Sequence, residues 1–264
     1  MSDGAVATSP SVSPCTTVDA GVMPARVLDE SRYFEPLAGR PAVRVEAALA
    51  GPDLIRDPSG ELLVLEDNLR TPSGFAFALA CRQQLRAAGI YPDVPDLDPS
   101  AVYEPLALAL RAADPSGADD PPMAVLTDGP RAKVFFEHRE VADRLDLPLI
   151  TPDDLESGGG RLLIRSQRGR EEIRVIYNRT SHESLRKEDG QLTPLGELLA
   201  GPLDAGNLGC VNQFGAGIAD DKAVHCYVDR MIPFYLDEKP ILRSVVIASP
   251  DRIRRAPRAA FPSL

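Results

Sequence analysis

The sequence contains no tryptophan and few side chains of the kind that bind transition metals. Its 264 residues include four cysteines and three histidines. Cys15, Cys81, Cys210 and Cys226 are widely spaced and form no Cys-x-x-Cys pair. Zinc sites and disulfide frameworks need such residues in recurring close spacings. We therefore predict neither a zinc site nor a disulfide framework.

Lysine and net positive charge are also scarce. The chain has 29 basic residues against 39 acidic ones, and its formal net charge is −10 at pH 7. The lysines are Lys133, Lys187, Lys222 and Lys239. Nucleic-acid binding depends on clustered Lys and Arg side chains that face phosphates. Nucleic acid is therefore not expected as a partner.

Long apolar runs are missing as well. A membrane-spanning helix needs about 18 or more consecutive apolar residues, and the sequence has no such run. Its N-terminus lacks the basic flank and apolar stretch of a signal peptide. We expect no membrane partner and a cytoplasmic location. The hydrophobic content of 44% is sufficient for a globular core.

Composition divides the chain along its length. Residues 1–22 are rich in Ser, Thr, Pro and Ala, and residues 251–264 are rich in Arg, Ala and Pro. Such segments bury too little apolar surface to offset the entropy of ordering, so both are predicted to be tails. Prolines and acids cluster at 114–122. This cluster predicts a linker between a segment at 23–113 and a domain at 123–250.

Strands and helices are predicted to alternate after the linker. The predicted strands are 123–127, 147–150, 161–165, 173–177 and 207–214, and the predicted helices are 132–145, 192–200 and 222–236. Helices are also predicted at 75–88 and 102–112, before the linker. Alternation with short connections is typical of an α/β, Rossmann-like domain.

An acidic hairpin is predicted at the start of the first segment. Two strand-forming runs flank the turn-forming residues 57–60, and the second strand is predicted at 61–65. Side chains alternate along a strand, so Glu66 and Asn68 point to the same face, and the fold of the hairpin brings Asp53 alongside them. Two carboxylates and an amide oxygen are hard ligands suited to Mg²⁺ on nucleotide phosphates. We predict a magnesium site there.

These residues lie in motifs that resemble a known ligase family. Residues 65–74 are similar to the EDNxRxPSG signature of the circularly permuted ATP-grasp family (type 2), and residues 51–57 to its GxDLxRD segment. In the second half, residues 212–222 resemble the NxxGxGVxDDK loop and residues 234–242 the FYLGExPxL segment. The motifs occur in the family order, and the resemblance covers about residues 24–250.

The resemblance implies a fold, an activity and two cofactors. The fold is an ATP-grasp-like metal-binding hairpin segment followed by a Rossmann-like pre-ATP-grasp domain. The activity is that of a carboxylate–amine ligase: ATP phosphorylates a carboxylate, and an amine attacks the acyl-phosphate to form a peptide-type bond. ATP and Mg²⁺ are the implied cofactors. The implied partners are small-molecule or peptide carboxylate and amine substrates.

Candidate site residues come from the matched positions. Arg70 is the candidate catalytic residue, because a guanidinium can hold phosphate oxygens or the charge that develops on an acyl-phosphate. The candidate metal ligands are Asp53, Glu66 and Asn68. The candidate cofactor-binding residues are Asp53, Glu66, Asn68, Arg70, Ser73 and Gly74. The candidate substrate-binding residues are Glu137, Arg179, Gly215, Gly217 and Lys222.

Other interpretations of the same residues stay open. The acidic residues could form a solvated hairpin edge, and Arg70 could be a surface charge. The glycines at 215 and 217 could belong to a dinucleotide-binding turn of an oxidoreductase. Asp220 occupies the position of that motif's third glycine, and the adjacent Asp221 adds a second charge that repels phosphate. We therefore favour a substrate-side loop.

The resemblance implies that one lobe of the nucleotide site is missing. In the family, a lysine-bearing strand and a glycine loop follow the segment matched at 234–242, whereas residues 245–264 contain no lysine. We expect a shortened member without the C-terminal nucleotide-binding lobe. The alternative to a ligase is a non-catalytic or split-enzyme module, which binds substrate or a partner chain that supplies the missing lobe.

Overall fold

The computed structural model describes residues 15–35, 47–90, 99–166, 169–180, 185–187 and 189–245. The helices are α1 (Cys15–Asp19), α2 (Ala25–Asp29), α3 (Phe75–Ala87), α4 (Tyr103–Ala112), α5 (Phe135–Leu145), α6 (Pro194–Asp204), α7 (Lys222–His225) and α8 (Val228–Leu236). The strands are β1 (Asp53–Arg56), β2 (Leu62–Glu66), β3 (Met123–Thr127), β4 (Leu149–Ile150), β5 (Leu155–Gly158), β6 (Arg161–Ser166), β7 (Gly169–Ile173), β8 (Val175–Arg179), β9 (Gly209–Val211) and β10 (Arg243–Ser244).

A parallel sheet forms the centre of the fold. Its strand order is β4-β3-β8-β9, and each neighbouring pair is parallel. The side chains of β3 alternate between two cores: Ala124 and Leu126 face one, and Val125 faces the other. Parallel sheets need cover on both faces, which explains why these strands are nearly continuous apolar runs. The α/β class with a Rossmann-like sheet is confirmed.

Different elements cover the two faces of this sheet. Helices α3, α4 and α5 cover one face through Leu79, Leu106, Leu110 and Val141. Helix α6 covers the other face, together with the antiparallel sheet β5-β6-β7. The strands β5 and β7 were not predicted, because their sequences lack a run of alternating apolar residues.

The hairpin sheet is the third sheet of the molecule. Strands β1 and β2 pair antiparallel, as the sequence predicts, and β10 pairs in parallel with β2. Asp57 stabilises the turn, because its Oδ1 atom accepts hydrogen bonds from the backbone N–H groups of Ser59 and Glu61, both at 2.9 Å. The four residues of β1 are all exposed. The hairpin is therefore an edge with little apolar packing of its own.

The predicted linker at 114–122 packs against the parallel sheet. Asp114 is fully buried, and its Oδ2 atom accepts hydrogen bonds from Ser116 Oγ at 2.6 Å and Arg174 Nη2 at 3.2 Å. A Cβ atom on Gly209 would lie 2.1 Å from the carbonyl oxygen of Ala113, so only glycine allows β9 to approach the end of α4 this closely. The division at 114–122 stays a prediction.

Two other segments differ from the prediction or lie outside it. Residues 15–22, assigned to a tail by composition, include α1, and Val18 packs against a small core formed by α2 and α7. The helix predicted at 222–236 is divided into α7 and α8. Residues 1–14 and the tail predicted at 251–264 lie outside the described residues. Within the described ranges, no helix is both long and apolar enough to cross a membrane.

Candidate functional site

Asp53 and Glu66 stand opposite each other at the open end of the hairpin. A β-bulge between Asp53 and Leu54 places the two residues opposite each other, and their carboxyl groups lie close enough to interact. Lys222 Nζ, at the start of α7, also donates a hydrogen bond to Glu66 Oε2. This bond, followed by the charge of Lys222, lowers the pKa of the Glu66 carboxyl below its ordinary value. Glu66 thus interacts both with the opposed carboxyl group of Asp53 and with a lysine.

Asn68 follows the two acids in the sequence, and its side-chain amide bonds to the backbone of Gly51 through its nitrogen atom. Its Nδ2 atom donates to the carbonyl oxygen of Gly51 at 3.0 Å. A carbonyl can only accept, so the nitrogen must be on that side. Among the described residues, the Oδ1 atom has no hydrogen-bond partner. The amide oxygen is therefore free to accept from, or bind to, a ligand.

The oxygen atoms at the hairpin end are of the kind that Mg²⁺ prefers. Opposed carboxylates repel each other, and a divalent cation removes this cost while binding the hard oxygen atoms it prefers. Over the described part of the chain, no group of three His, Cys, Asp or Glu side chains is arranged to hold a metal. Asp53, Glu66 and Asn68 provide two carboxylates and one amide oxygen. Three oxygen ligands of this kind leave the remaining coordination positions of a Mg²⁺ ion open for phosphate oxygens and water.

The glycine-rich loop predicted to face substrate packs against the signature segment. Asp220 Oδ1 accepts hydrogen bonds from the backbone N–H groups of Leu69 at 2.6 Å and Arg70 at 3.2 Å. A Cβ atom on Gly217 would lie 3.2 to 3.3 Å from the Arg70 side chain, so glycine permits this contact. Burial raises the pKa of the Asp220 carboxyl, and these N–H groups oppose the rise. The two motifs are therefore in direct contact.

Arg70 projects from this contact toward two clefts. Its Nε atom is 3.9 Å from Asp220 Oδ2, and its guanidinium carbon is 5.6 Å from the centre of the Tyr33 ring. These contacts restrict the side chain through charge and cation–π attraction. Gly215, with φ of +99°, begins the loop that carries Gly217.

Glu137 and Arg179 anchor the signature segment from beneath. Glu137 Oε2 accepts from the backbone N–H groups of Gly74 at 2.9 Å and Ala76 at 3.0 Å. Arg179 Nη1 donates to the carbonyl oxygen of Pro72 at 2.7 Å, and its Nη2 atom is 3.4 Å from Glu137 Oε1. Both side chains are buried. The structure therefore places these two substrate candidates behind the segment that contains Ser73 and Gly74.

Two clefts meet at residues 70–71. The smaller, of about 370 Å³, is the nucleotide-edge cleft, and its walls include Asp53, Asn68, Ser73 and Asp220. The larger, of about 860 Å³, is the sheet-edge cleft and lies along the loops that follow β3, β4 and β8. Arg70 and Thr71 line both.

Comparison with known proteins decides the family. Residues 13–251 match the sequence model described as circularly permuted ATP-grasp type 2. This chain belongs to that family. It is 36% identical over 238 residues to "Putative glutamate--cysteine ligase 2-2" of Frankia casuarinae, a match that covers 85% of this chain and 27% of that protein.

Two further relatives are uncharacterised proteins. One, from Synechocystis, is 32% identical over 247 residues, which cover 88% of this chain and 50% of the relative. The other, from Mycobacterium tuberculosis, is 34% identical over 237 residues, which cover 85% and 42%. The chain thus spans about a quarter to a half of the length of the relatives it matches.

Asn212 is a site residue that the sequence analysis did not single out, although it begins one of the ATP-grasp motifs. Its Oδ1 atom accepts from the backbone N–H groups of Ala48 at 3.0 Å and Leu49 at 3.2 Å. Its Nδ2 atom donates to the carbonyl oxygens of Leu49 at 2.7 Å and of Leu69. One side chain thus joins the two ends of the hairpin to the end of β9. Its position in the motif was the available signal.

His225 is a second residue whose role was not predicted. Its Nδ1 atom lies 2.9 Å from Asp67 Oδ2, and the ring is buried. Asp67 lies between the two candidate ligands Glu66 and Asn68. The contact therefore holds the backbone of the ATP-grasp signature at the point from which both ligands project.

Proposed function

We propose that this chain forms the metal-binding edge of an ATP- and Mg²⁺-dependent carboxylate–amine ligase. In this reaction the γ-phosphate of ATP passes to a carboxylate, and an amine displaces phosphate from the acyl-phosphate. The observation that carries the proposal is the register pair of Asp53 and Glu66, together with Asn68, which lines the same cleft as Asp53 and has a free amide oxygen. Family membership supports the reaction class.

Each residue has a distinct role in this proposal. Asp53, Glu66 and Asn68 would hold Mg²⁺, which neutralises phosphate charge during transfer. Lys222, which contacts Glu66, would turn to a phosphate oxygen when the metal ligands are occupied. Arg70 would hold oxygen atoms of the transferred group, since it lies where the two clefts meet. Ser73 would offer its hydroxyl group beside the nucleotide. Gly74, whose backbone groups bond to Glu137 and Ala78, would hold the segment in place.

A second candidate function is a module that binds substrate or a partner chain without turnover. The charge of the nucleotide-edge cleft favours this second function. Among the described residues that line the cleft, Arg70 is the only cation, and Asp53 and Asp220 are acids. A triphosphate needs further cations. A partner chain could supply them, in which case this chain is one part of a split enzyme.

Isothermal titration of the full chain with ATP, with and without Mg²⁺, tests the proposed metal edge. We expect binding that requires Mg²⁺ and that weakens about tenfold or more in Glu66→Ala, because a lost charge-assisted contact of about 1.5–3 kcal/mol corresponds to that factor. Glu61→Ala is the matched control, since Glu61 precedes the same strand and is exposed. Equal affinities for ATP in Glu66→Ala and the unmodified chain would refute the metal assignment.

A separate assay distinguishes the ligase from the binding module. The chain is incubated with Mg²⁺, ATP and a mixture of carboxylic acids and amines, and the release of ADP is measured. Release that depends on acid, and that Arg70→Ala abolishes, supports the ligase. Binding of Mg²⁺ and ATP without any release supports the module.

A further inference from the structure

The sheet-edge cleft lies at the carboxyl ends of three parallel strands. The loop after β3 contributes residues 128–134, the turn after β4 contributes residues 151–153, and the end of β8 contributes residues 179–180. Nothing in the proposed nucleotide edge accounts for a cavity of about 860 Å³ here. This volume is in the range of pockets that hold a small molecule.

The cleft also lies where the order of the strands reverses. The chain runs from β3 to β4 on one side, and then returns to place β8 on the opposite side of β3. Loops that leave β3 and β8 therefore diverge and open a crevice between them. In open parallel sheets, ligands bind in such crevices outside the carboxyl ends of the strands.

The charge of the cleft is opposite to that of the chain. Its walls carry the cations Arg70, Arg131 and Lys133 and the acids Asp128 and Asp153, together with Arg179, whose charge is paired with that of buried Glu137. The chain as a whole has a net charge of −10. Arg131 and Lys133 are exposed. Neither forms an ion pair or hydrogen bond with another described residue. A positive crevice in an acidic protein concentrates anionic ligands.

A buried histidine in the cleft wall has an unused hydrogen-bonding atom. His138 is 1% exposed, and its Nδ1 atom lies 2.7 Å from Thr127 Oγ1. Burial, followed by the charge of Arg179, lowers the pKa of His138 to about 4, so the ring is neutral at pH 7. Its Nε2 atom is buried and has no hydrogen-bond partner among the described residues.

The neighbours of Thr127 indicate which nitrogen of His138 carries the proton. Thr127 Oγ1 accepts from the backbone N–H of Gly129 at 3.2 Å. Its own hydroxyl proton needs an acceptor, and His138 Nδ1 is the atom within reach. The proton of the neutral ring is then on Nε2. A buried donor without a partner is costly, and an acceptor on a ligand would satisfy it.

We propose that the sheet-edge cleft binds the acid substrate, as a compound that carries a second anionic group besides the carboxylate to be activated. The identity of the ligand as the acid substrate rests on the proposed ligase function. The reacting carboxylate lies at Arg70 and Thr71, which this cleft shares with the nucleotide-edge cleft. Arg131 and Lys133 bind the second anionic group, and His138 donates a hydrogen bond to the ligand.

Calorimetry on the full chain with matched probes tests this proposal. Glutarate and pentanoate have the same carbon chain but two carboxylates and one, respectively. We expect glutarate to bind, and pentanoate to bind at least about fivefold more weakly, as for the loss of one contact to a charged group. The double variant R131A/K133A should reduce glutarate affinity to that of pentanoate. Arg139→Ala, an exposed cation on α5 outside the cleft, should leave it unchanged.

A spectroscopic readout locates the probe. The sequence has three histidines, so the imidazole ¹⁵N signals are few. Glutarate should shift the Nε2 signal of His138 and leave that of His225 in place. The absence of a shift at His138, or equal binding of glutarate by R131A/K133A, would overturn the proposal. Displacement of glutarate by inorganic phosphate at an equal or lower concentration would also overturn it, because the cleft would then be a phosphate site.

The same variants separate this proposal from the metal edge. Mg²⁺-dependent ATP binding should weaken about tenfold or more in Glu66→Ala and stay unchanged in R131A/K133A. Glutarate binding should stay unchanged in Glu66→Ala and weaken in R131A/K133A. Retained ATP binding with no glutarate binding refutes the acid site alone. Glutarate binding without Mg²⁺-dependent ATP binding refutes the metal edge. The cleft would then bind anions, but the ligand could no longer be identified as the acid substrate of a ligase.

Discussion

The hairpin sheet and the parallel sheet are built in opposite ways. All five residues of β8 are buried, whereas all four residues of β1 are exposed. The parallel sheet is therefore stabilised by apolar side chains on both faces. The hairpin has no comparable core, yet it carries the candidate metal ligands.

Polar contacts from the parallel sheet compensate for the weak packing of the hairpin. Asn212 follows β9, Arg179 ends β8, and Glu137 lies on α5. Each one bonds to backbone groups at residues 48–49 or 69–76. The difference between the two regions indicates that the buried parallel sheet positions the candidate site, and that the candidate ligands themselves contribute little to stability.

The largest effect on stability is expected for Glu137→Ala, which tests the polar contacts between the two regions. The change leaves the buried Arg179 without its ion-pair partner and two backbone N–H groups without an acceptor. We expect a loss of about 3–5 kcal/mol in the free energy of unfolding, as for other broken buried pairs, measured by urea denaturation. Glu140→Ala on the same helix, whose partner Arg144 is partly exposed, should cost less than about 1 kcal/mol. Equal losses in the two variants would contradict the anchoring role.

A second test addresses the apolar side of the comparison. Leu110 on α4 is 1% exposed and packs against the sheet, whereas Leu108 on the same helix is 57% exposed. Leu110→Ala should cost about 2–5 kcal/mol because it opens a cavity. Leu108→Ala should cost less than about 1 kcal/mol. Similar values for both would show that α4 does not share the core of the parallel sheet.

The pH dependence of stability sharpens the comparison at His138. Its pKa in the folded state is about 4, below the ordinary 6.5. As pH falls below 6.5, the unfolded chain binds a proton that the folded chain does not, so stability is lost between pH 6.5 and 4. One proton gives a slope of up to about 1.4 kcal/mol per pH unit. Denaturation at several pH values should show a shallower slope for His138→Gln. Identical slopes would disprove the neutral buried ring.

The smallest effect is expected for Lys222→Ala at the hairpin. The contact between Lys222 and Glu66 is largely exposed, and such pairs contribute less than about 1 kcal/mol to stability. The pKa of Glu66 should nevertheless rise toward its ordinary value, because Lys222 is the main cause of its lowering. Titration of the carboxylate signals by NMR measures this change. An unchanged pKa would mean that the contact does not form in solution.

Local sequence signals predicted part of the fold. The turn at Asp57-Pro58-Ser59-Gly60 located the hairpin, and its second strand was predicted within one residue of β2. The prediction of one continuous helix at 222–236 was wrong, because α7 ends at His225 and α8 begins at Val228. The apolar periodicity of the sequence continues through this break and does not reveal it. Strand β8 begins two residues later than predicted, since the apolar run at 173–177 does not distinguish the end of β7 from the start of β8.

The candidate site was predictable only where its residues are close in sequence or occur in a motif. The hairpin predicted that Asp53 lies alongside Glu66, and a β-bulge between Asp53 and Leu54, which the sequence did not indicate, places the two residues opposite each other. The contacts of Gly217 with Arg70 and of Glu137 with Gly74 join residues far apart in the chain. No periodicity carries such information. The roles assigned to these residues in binding and catalysis stay predictions.

The spacing of these contacts along the chain has a consequence for the order of folding. The hairpin closes through neighbours in sequence, but Asn212 and Lys222 reach it across 143 and 156 residues. Contacts of such long range form slowly, because the intervening chain must lose its freedom first. During synthesis the hairpin can pair long before the residues that hold it have been made. The candidate metal ligands therefore reach their places in the folded chain only when β9, the last strand of the parallel sheet, has formed.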